Sequence, residues 1–174
     1  MTIVLLGPTG AGKSTVASVL HTRLKYEVIS TGEYVRRNFP TDPLDGGFSD
    51  REKQIKEYVD QWLKGPRVVL DGFPRHLDQL VWLRKRLKAD KLLPILMRIG
   101  RSEAYGRVWL RGREYMSKFK EQFEAQNKAL DLMEQYLVKQ KVGFIVTGTT
   151  WSPDEIVDRI AFVCKKPRSV RNVK

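Results

Sequence analysis

The segment Gly7-Pro8-Thr9-Gly10-Ala11-Gly12-Lys13-Ser14 fills every position of the pattern G-x-x-x-x-G-K-[ST], and that pattern works only between a strand and a helix. Thr2 to Leu6, immediately before it, is a short β-branched and aliphatic run, as expected of a strand buried on both faces of a parallel sheet. After it, Val16, Val19, Leu20 and Leu24 recur at helical spacing from a start near Lys13. Glycines let such a loop curl so that successive N–H groups point inward, and the helix N-terminus adds a favourable partial charge for an anion. The segment therefore reads as a phosphate-binding loop, or P-loop, formed by Gly7, Thr9, Gly10, Ala11, Gly12, Lys13, Ser14 and Thr15. Lys13 is expected to reach the β and γ phosphates of ATP, and the Ser14 hydroxyl to help hold Mg²⁺.

The remainder of the chain repeats the alternation. Strands are expected at Glu27 to Ile29, Arg67 to Leu70, Leu92 to Ile99 and Val142 to Val146, with Pro94 early in the fourth. Between them lie helical patterns: a capping-box start at Ser30 and Glu33, a second at Ser49 and Glu52 with Ile55, Val59 and Trp62 behind it, and Leu77, Leu80, Leu83 and Leu87. Further on come Ala104 to Leu110, a long stripe from Met116 to Leu137, and a last helix opened by Ser152-Pro153. Strands alternating with helices at these lengths predict an α/β fold of the P-loop NTPase type, a five-stranded parallel sheet with helices on both faces.

At 174 residues the chain is expected to form one domain over residues 1–164, followed by a basic, disordered tail at 165–174. Lys and Arg outnumber Asp and Glu by 32 to 20, and residues 81–120 and the tail hold the excess. A basic concentration suggests an anionic partner, either a polyphosphate in a cleft or a nucleic-acid backbone along a surface. Cys164 is the only cysteine, which excludes an intramolecular disulfide and a multi-cysteine zinc site. No apolar stretch is long enough to span a bilayer and no secretory leader opens the chain, so a monomeric cytoplasmic protein without membrane contact is expected.

A P-loop supplies a nucleotide and no reaction; the remaining groups belong at the other strand ends, where open α/β sheets bind ligands. Three polar clusters are expected there: Thr31 to Arg36, Asp71 to Arg75, and the arginines after strand four. Asp71 ends an apolar strand, as a carboxylate that orients Mg²⁺ through water must, although a turn aspartate is the plainer alternative. Arg107 and Arg111 are four residues apart and share a helix face, suited to neutralising charge on a transferring phosphoryl group or to lying solvated.

Together the P-loop, Ser30-Thr31-Gly32-Glu33-Tyr34-Val35-Arg36 and Asp71-Gly72-Phe73-Pro74-Arg75 with Gln79 resemble the signature segments of the adenylate kinase family of nucleoside monophosphate kinases. The resemblance implies transfer of the γ-phosphoryl of Mg·ATP to a nucleoside or deoxynucleoside monophosphate, with Lys13, Asp71, Arg75, Arg107 and Arg111 as the catalytic set. Thr31, Gly32, Arg36, Gly72 and Arg75 would hold the acceptor, Arg75 on its phosphate, and Gln79 would read its base. Arg107, Arg111 and Arg113 would edge a lid. The acceptor-binding insertion, at about residues 31–64, and the lid, at about 111–117, are both shortened relative to the family, and Gly-Lys-Ser-Thr stands where adenylate kinases have Gly-Lys-Gly-Thr. Two alternatives remain: a P-loop kinase for a polynucleotide end or small metabolite, and an ATP-dependent nucleic-acid-binding protein using the basic middle segment and tail. Neither is favoured over the monophosphate kinase.

Overall fold

The computed structural model describes residues 1–39, 49–88, 91–110, 118–148 and 150–165. Five parallel strands, β1 (Thr2–Leu6), β2 (Glu27–Ser30), β3 (Val68–Asp71), β4 (Leu92–Met97) and β5 (Ile145–Thr147), lie side by side in the order β2-β3-β1-β4-β5. Every residue of β1, β3 and β4 is buried, as a sheet covered on both faces requires.

Alternation along the strands creates two apolar surfaces. Ile3 and Leu5 of β1, with Val69 and Ile95, face α1 (Lys13–Leu24) and α7 (Pro153–Lys165), which contribute Val16, Leu20, Ile156 and Ile160. Val4 and Leu6, with Leu70 and Leu96, face the opposite way onto α3 (Ser49–Trp62), α4 (Leu77–Arg86) and α6 (Phe119–Lys139). Two shorter helices, α2 (Thr31–Asn38) and α5 (Arg101–Trp109), stand at the carboxyl ends of β2 and β4. The expected α/β fold is therefore observed, with its helices on both faces.

Local chemistry explains where elements start and stop. Ser30 Oγ accepts a hydrogen bond from Glu33 N–H at the start of α2. Ser152 and Glu155 close a full capping box under Pro153, Ser152 N–H donating to Glu155 Oε2 at 2.7 Å and Glu155 N–H to Ser152 Oγ at 3.2 Å. Those bonds hold the Glu155 carboxyl below the usual carboxylate range. The fifth strand begins at Ile145, three residues later than its sequence pattern suggests, because α6 ends in a left-handed turn at Lys141 that takes the Val142 N–H for the Leu137 carbonyl. α5 starts earlier than expected, at Arg101, with Gly100 as its N-cap. The Ser49 side chain, most of the 39–49 loop, the 111–117 lid and residues 166–174 of the tail lie outside the described residues.

Leu5 is 1% exposed beneath α1 and α7. Leu5→Ala is expected to destabilise the fold by about 2–5 kcal/mol, read as a lower urea midpoint at unchanged denaturant slope.

Candidate active site

β1 and β3 are neighbours, yet the chain leaves β1 for α1 on one face and β3 for α4 on the other. A crevice opens between the diverging connections, where parallel sheets of this kind bind ligands. Register fixes what meets there: Asp71 lies level with Leu5 of β1 and with Ser30 of β2. Its carboxylate, on a residue only 7% exposed, accepts a hydrogen bond from Ser14 Oγ at 2.7 Å. The P-loop and the end of β3, 57 positions apart, thus touch through the two side chains singled out for the metal.

The loop itself is arranged for an anion. No side chain caps the first turn of α1 and no acidic residue lies in it, so its N–H groups face the loop. Lys13 Nζ lies across the loop and donates to the carbonyls of Gly7 and Pro8 at 2.7 and 2.8 Å. A hydroxyl and a carboxylate are hard oxygen donors, and among the described residues no group of three or more His, Cys, Asp or Glu side chains could hold a metal. A donor set this sparse fits Mg²⁺, which keeps waters and phosphate oxygens as its other ligands.

Across Asp71 lies the second cluster. Thr31 is buried, and its Oγ1 donates to the Asp71 carbonyl at 3.4 Å. A Cβ placed on Gly32 would lie 3.5 Å from Arg36 Nη1 and 3.9 Å from Arg75 Nη2, so both guanidinium groups converge on this backbone. Gly72, at φ 84°, would bring a Cβ within 3.0 Å of Thr31 Oγ1 and 3.8 Å of Arg75 Nη2, a position that only glycine fills without strain. Arg75 Nε donates to the Gly72 carbonyl at 3.1 Å. Gln79 is buried, and its Oε1 accepts from the Arg75 N–H at 2.8 Å, which binds it to the backbone of the same cluster. Behind α2, Tyr34 stacks on Tyr58 of α3 at 4.2 Å, and burial pushes the Tyr58 phenol up.

The third side is formed by α5. Gly10 packs against its backbone so closely that a Cβ would meet Ala104 O at 2.8 Å. Arg107, one turn further on, donates to Gly10 O at 3.3 Å and to Glu103 Oε1 at 2.5 Å, which lays its guanidinium over the P-loop. Arg111 and Arg113 lie outside the described residues. One group at the site escaped sequence reasoning: Gln126 of α6 accepts a hydrogen bond from Thr9 N–H at 2.6 Å. It sits 117 positions from Thr9 in a helix legible only by its apolar stripe, and no motif marks it.

The geometry can be set beside known proteins. A family model described as an AAA domain matches residues 3–129. An adenylate kinase of Mycolicibacterium paratuberculosis is 35% identical over 129 residues, covering 65% of this chain and 71% of that protein. One from Borrelia duttonii is 32% identical over 116 residues, covering 56% of this chain and 52% of its own length. The chain thus spans about half the length of the Borrelia relatives it matches. Among solved structures, shikimate kinase from Aquifex aeolicus is similar at 20% identity and a TM-score of 0.60, covering 95% of this chain and 96% of that one. A YorR protein from Bacillus subtilis in complex with phosphorylated GDP is similar at 23% identity and a TM-score of 0.59, with the same coverage. At those identities the likeness concerns the fold.

The close approach of Gly10 to Ala104 is directly testable. Gly10→Ala is expected to push the loop off α5 and weaken binding of Mg·ATP at least tenfold by calorimetry, about 1.4 kcal/mol. An unchanged affinity would mean that the loop tolerates displacement from α5.

Proposed function

The chain belongs to the adenylate kinase family of nucleoside monophosphate kinases, and from that membership we propose that it transfers the γ-phosphoryl of ATP to a nucleoside or deoxynucleoside monophosphate, yielding two diphosphates. The observation that carries this reading is the convergence of Arg36 and Arg75 on Gly32, across Asp71 from the Ser14 hydroxyl. Two guanidinium groups beside an N–H-lined loop are what two facing phosphate groups need. We assign residues 1–164 to a single kinase domain, with the acceptor segment at about 31–64 and a reduced lid at about 111–117.

In this reading Lys13 and the N–H groups of residues 10–15 hold the β and γ phosphates of the donor. Arg75 and Arg36 grip the acceptor phosphate, Thr31 and the backbone at Gly32 and Gly72 shape its seat, and Gln79 lies toward its base. An oxygen of the acceptor phosphate forms a bond to the γ-phosphorus as the bond from that phosphorus to the β–γ bridging oxygen breaks, and ADP leaves with the electron pair. No covalent enzyme intermediate is required, so alignment and charge supply the acceleration. Arg107, with Arg111 and Arg113, neutralises charge on the phosphoryl group in flight. Ser14 Oγ, and Asp71 through water, would hold Mg²⁺, which would supply further neutralisation of phosphate charge when bound.

ADP formation from Mg·ATP, measured with each ribo- and deoxyribonucleoside monophosphate in turn, is expected to show turnover with one or a few of them. Arg75→Ala is expected to lower kcat by about 10²–10³-fold while leaving ATP affinity unchanged. Silence with every monophosphate, or equal loss of turnover and ATP binding in the variant, would defeat the assignment.

A further inference from the structure

All five strands run the same way, so the end of the molecule remote from the P-loop collects the segments that lead into them. Each of the four strands other than β1 is preceded there by an exposed cation: Lys25 before β2, Arg67 before β3, Lys91 before β4 and Lys141 before β5. Lys64, Lys85, Lys88, Lys139 and Lys165 are exposed in the same end turns and connections. None of these nine side chains has an ion-pair partner among the described residues. Two other cations near this end are ion-paired, Arg86 with Asp60 and Arg23 with Asp154 and Asp158, so the nine are the part of its charge left uncompensated. The exposed carboxylates nearby are Glu27, and Asp154 and Asp158, which Arg23 already pairs; Asp90, in the connection to β4, lies outside the described residues.

Helix C-termini favour nearby cations, and that accounts for Lys85, Lys139 and Lys165 in last turns or beside them. It does not account for Lys64, Arg67, Lys88 and Lys91, which lie in connections, nor for the backbone at Lys25 and Lys141. Those two are the positive-φ residues other than glycine among the described residues, at φ 57° and 52°. Both sit just past a helix, where glycine avoids the steric cost of the left-handed turn. Lysine at both places maintains the charge at a conformational cost.

We propose that this lower end is a docking surface for the phosphate backbone of a nucleic acid, separate from the phosphate-binding crevice. Five strands about 4.8 Å apart spread the strand-leading cations over roughly 20 Å. A duplex presents one charge per about 1.7 Å of its axis, so a row of that length meets several phosphates at once. The surface reads charge and not bases, since among the described residues its strand connections hold no stacked aromatic pair. A bilayer is the poorer occupant, because Trp62 and Val138 stand singly and make no continuous apolar face.

The test is fluorescence anisotropy of the full chain with a labelled duplex of roughly 25 base pairs, titrated between about 0.05 and 0.2 M salt. Affinity is expected to fall steeply with salt. Lys88→Glu with Lys91→Glu and Lys141→Glu is expected to cut it by about a hundredfold at roughly 0.15 M salt and to flatten the logarithmic slope by about three, one per lost phosphate contact. A control with the same charge change at the other end, Lys118→Glu with Lys120→Glu and Lys128→Glu, is expected to bind like the parent chain. Equal loss in both variants would reduce the effect to net charge and overturn the proposal, as would a salt-insensitive parent. Binding to phosphatidylserine vesicles without binding to the duplex would overturn it in favour of a membrane. Should the triple variant unfold by circular dichroism, Lys91→Ala alone keeps the proposal falsifiable: it must flatten the slope by about one. Phosphoryl transfer, measured in parallel, is expected to be the same in the lower-end variant and the parent.

Discussion

The upper end of this molecule depends on the parallel pairing of β1 with β3. That pairing brings Asp71 level with Leu5, and from there a buried carboxylate needs a donor. Ser14 provides one from the first turn of α1, while Thr31 bonds the carbonyl of the same residue from the first turn of α2. One aspartate thereby joins three segments distant in the chain, and a slip of the register would separate all three. It also divides the crevice, with the P-loop on one side and the Arg36 and Arg75 guanidinium groups on the other.

Much of this is legible in the sequence because the relevant signals are local. The P-loop, the capping residues Ser30 and Ser152, and the aliphatic strands each announce themselves within a few positions, and the sheet follows from their alternation. That the segments Thr31 to Arg36 and Asp71 to Arg75 meet is also legible, since a parallel sheet sends every strand's carboxyl end to one place. What the sequence conceals is contact between remote segments. The Thr9 to Gln126 bond and the seating of Gly10 on Ala104 arise from helix packing, which leaves no pattern at either residue. The start of β5 was hidden for a related reason: Val142 has the composition of a strand residue, but its N–H is taken by the turn that ends α6.

The two ends of the sheet differ in how they treat positive charge. At the upper end arginines are held by carboxylates, by loop carbonyls or beside glycine backbone, which fixes their direction at the loss of side-chain freedom. At the lower end Lys25 donates to the Thr22 carbonyl, whereas the other lysines extend without an ion pair among the described residues. Directed guanidinium groups suit one bound geometry, whereas free ammonium groups suit a diffuse field.

The pairing of α1 with α7 bears on how the chain matures. Arg23 of α1 bonds Asp154 and Asp158 of α7, and the two helices together cover Ile3, Leu5, Val69 and Ile95. α7 leaves the ribosome after all five strands. Until it does, one whole side of the nascent sheet is shielded by a single helix, and the apolar strip between α1 and the β5 edge stays open to water. This interval of synthesis is when the polypeptide is most prone to associate with its neighbours and most in need of a chaperone, however stable the finished molecule is.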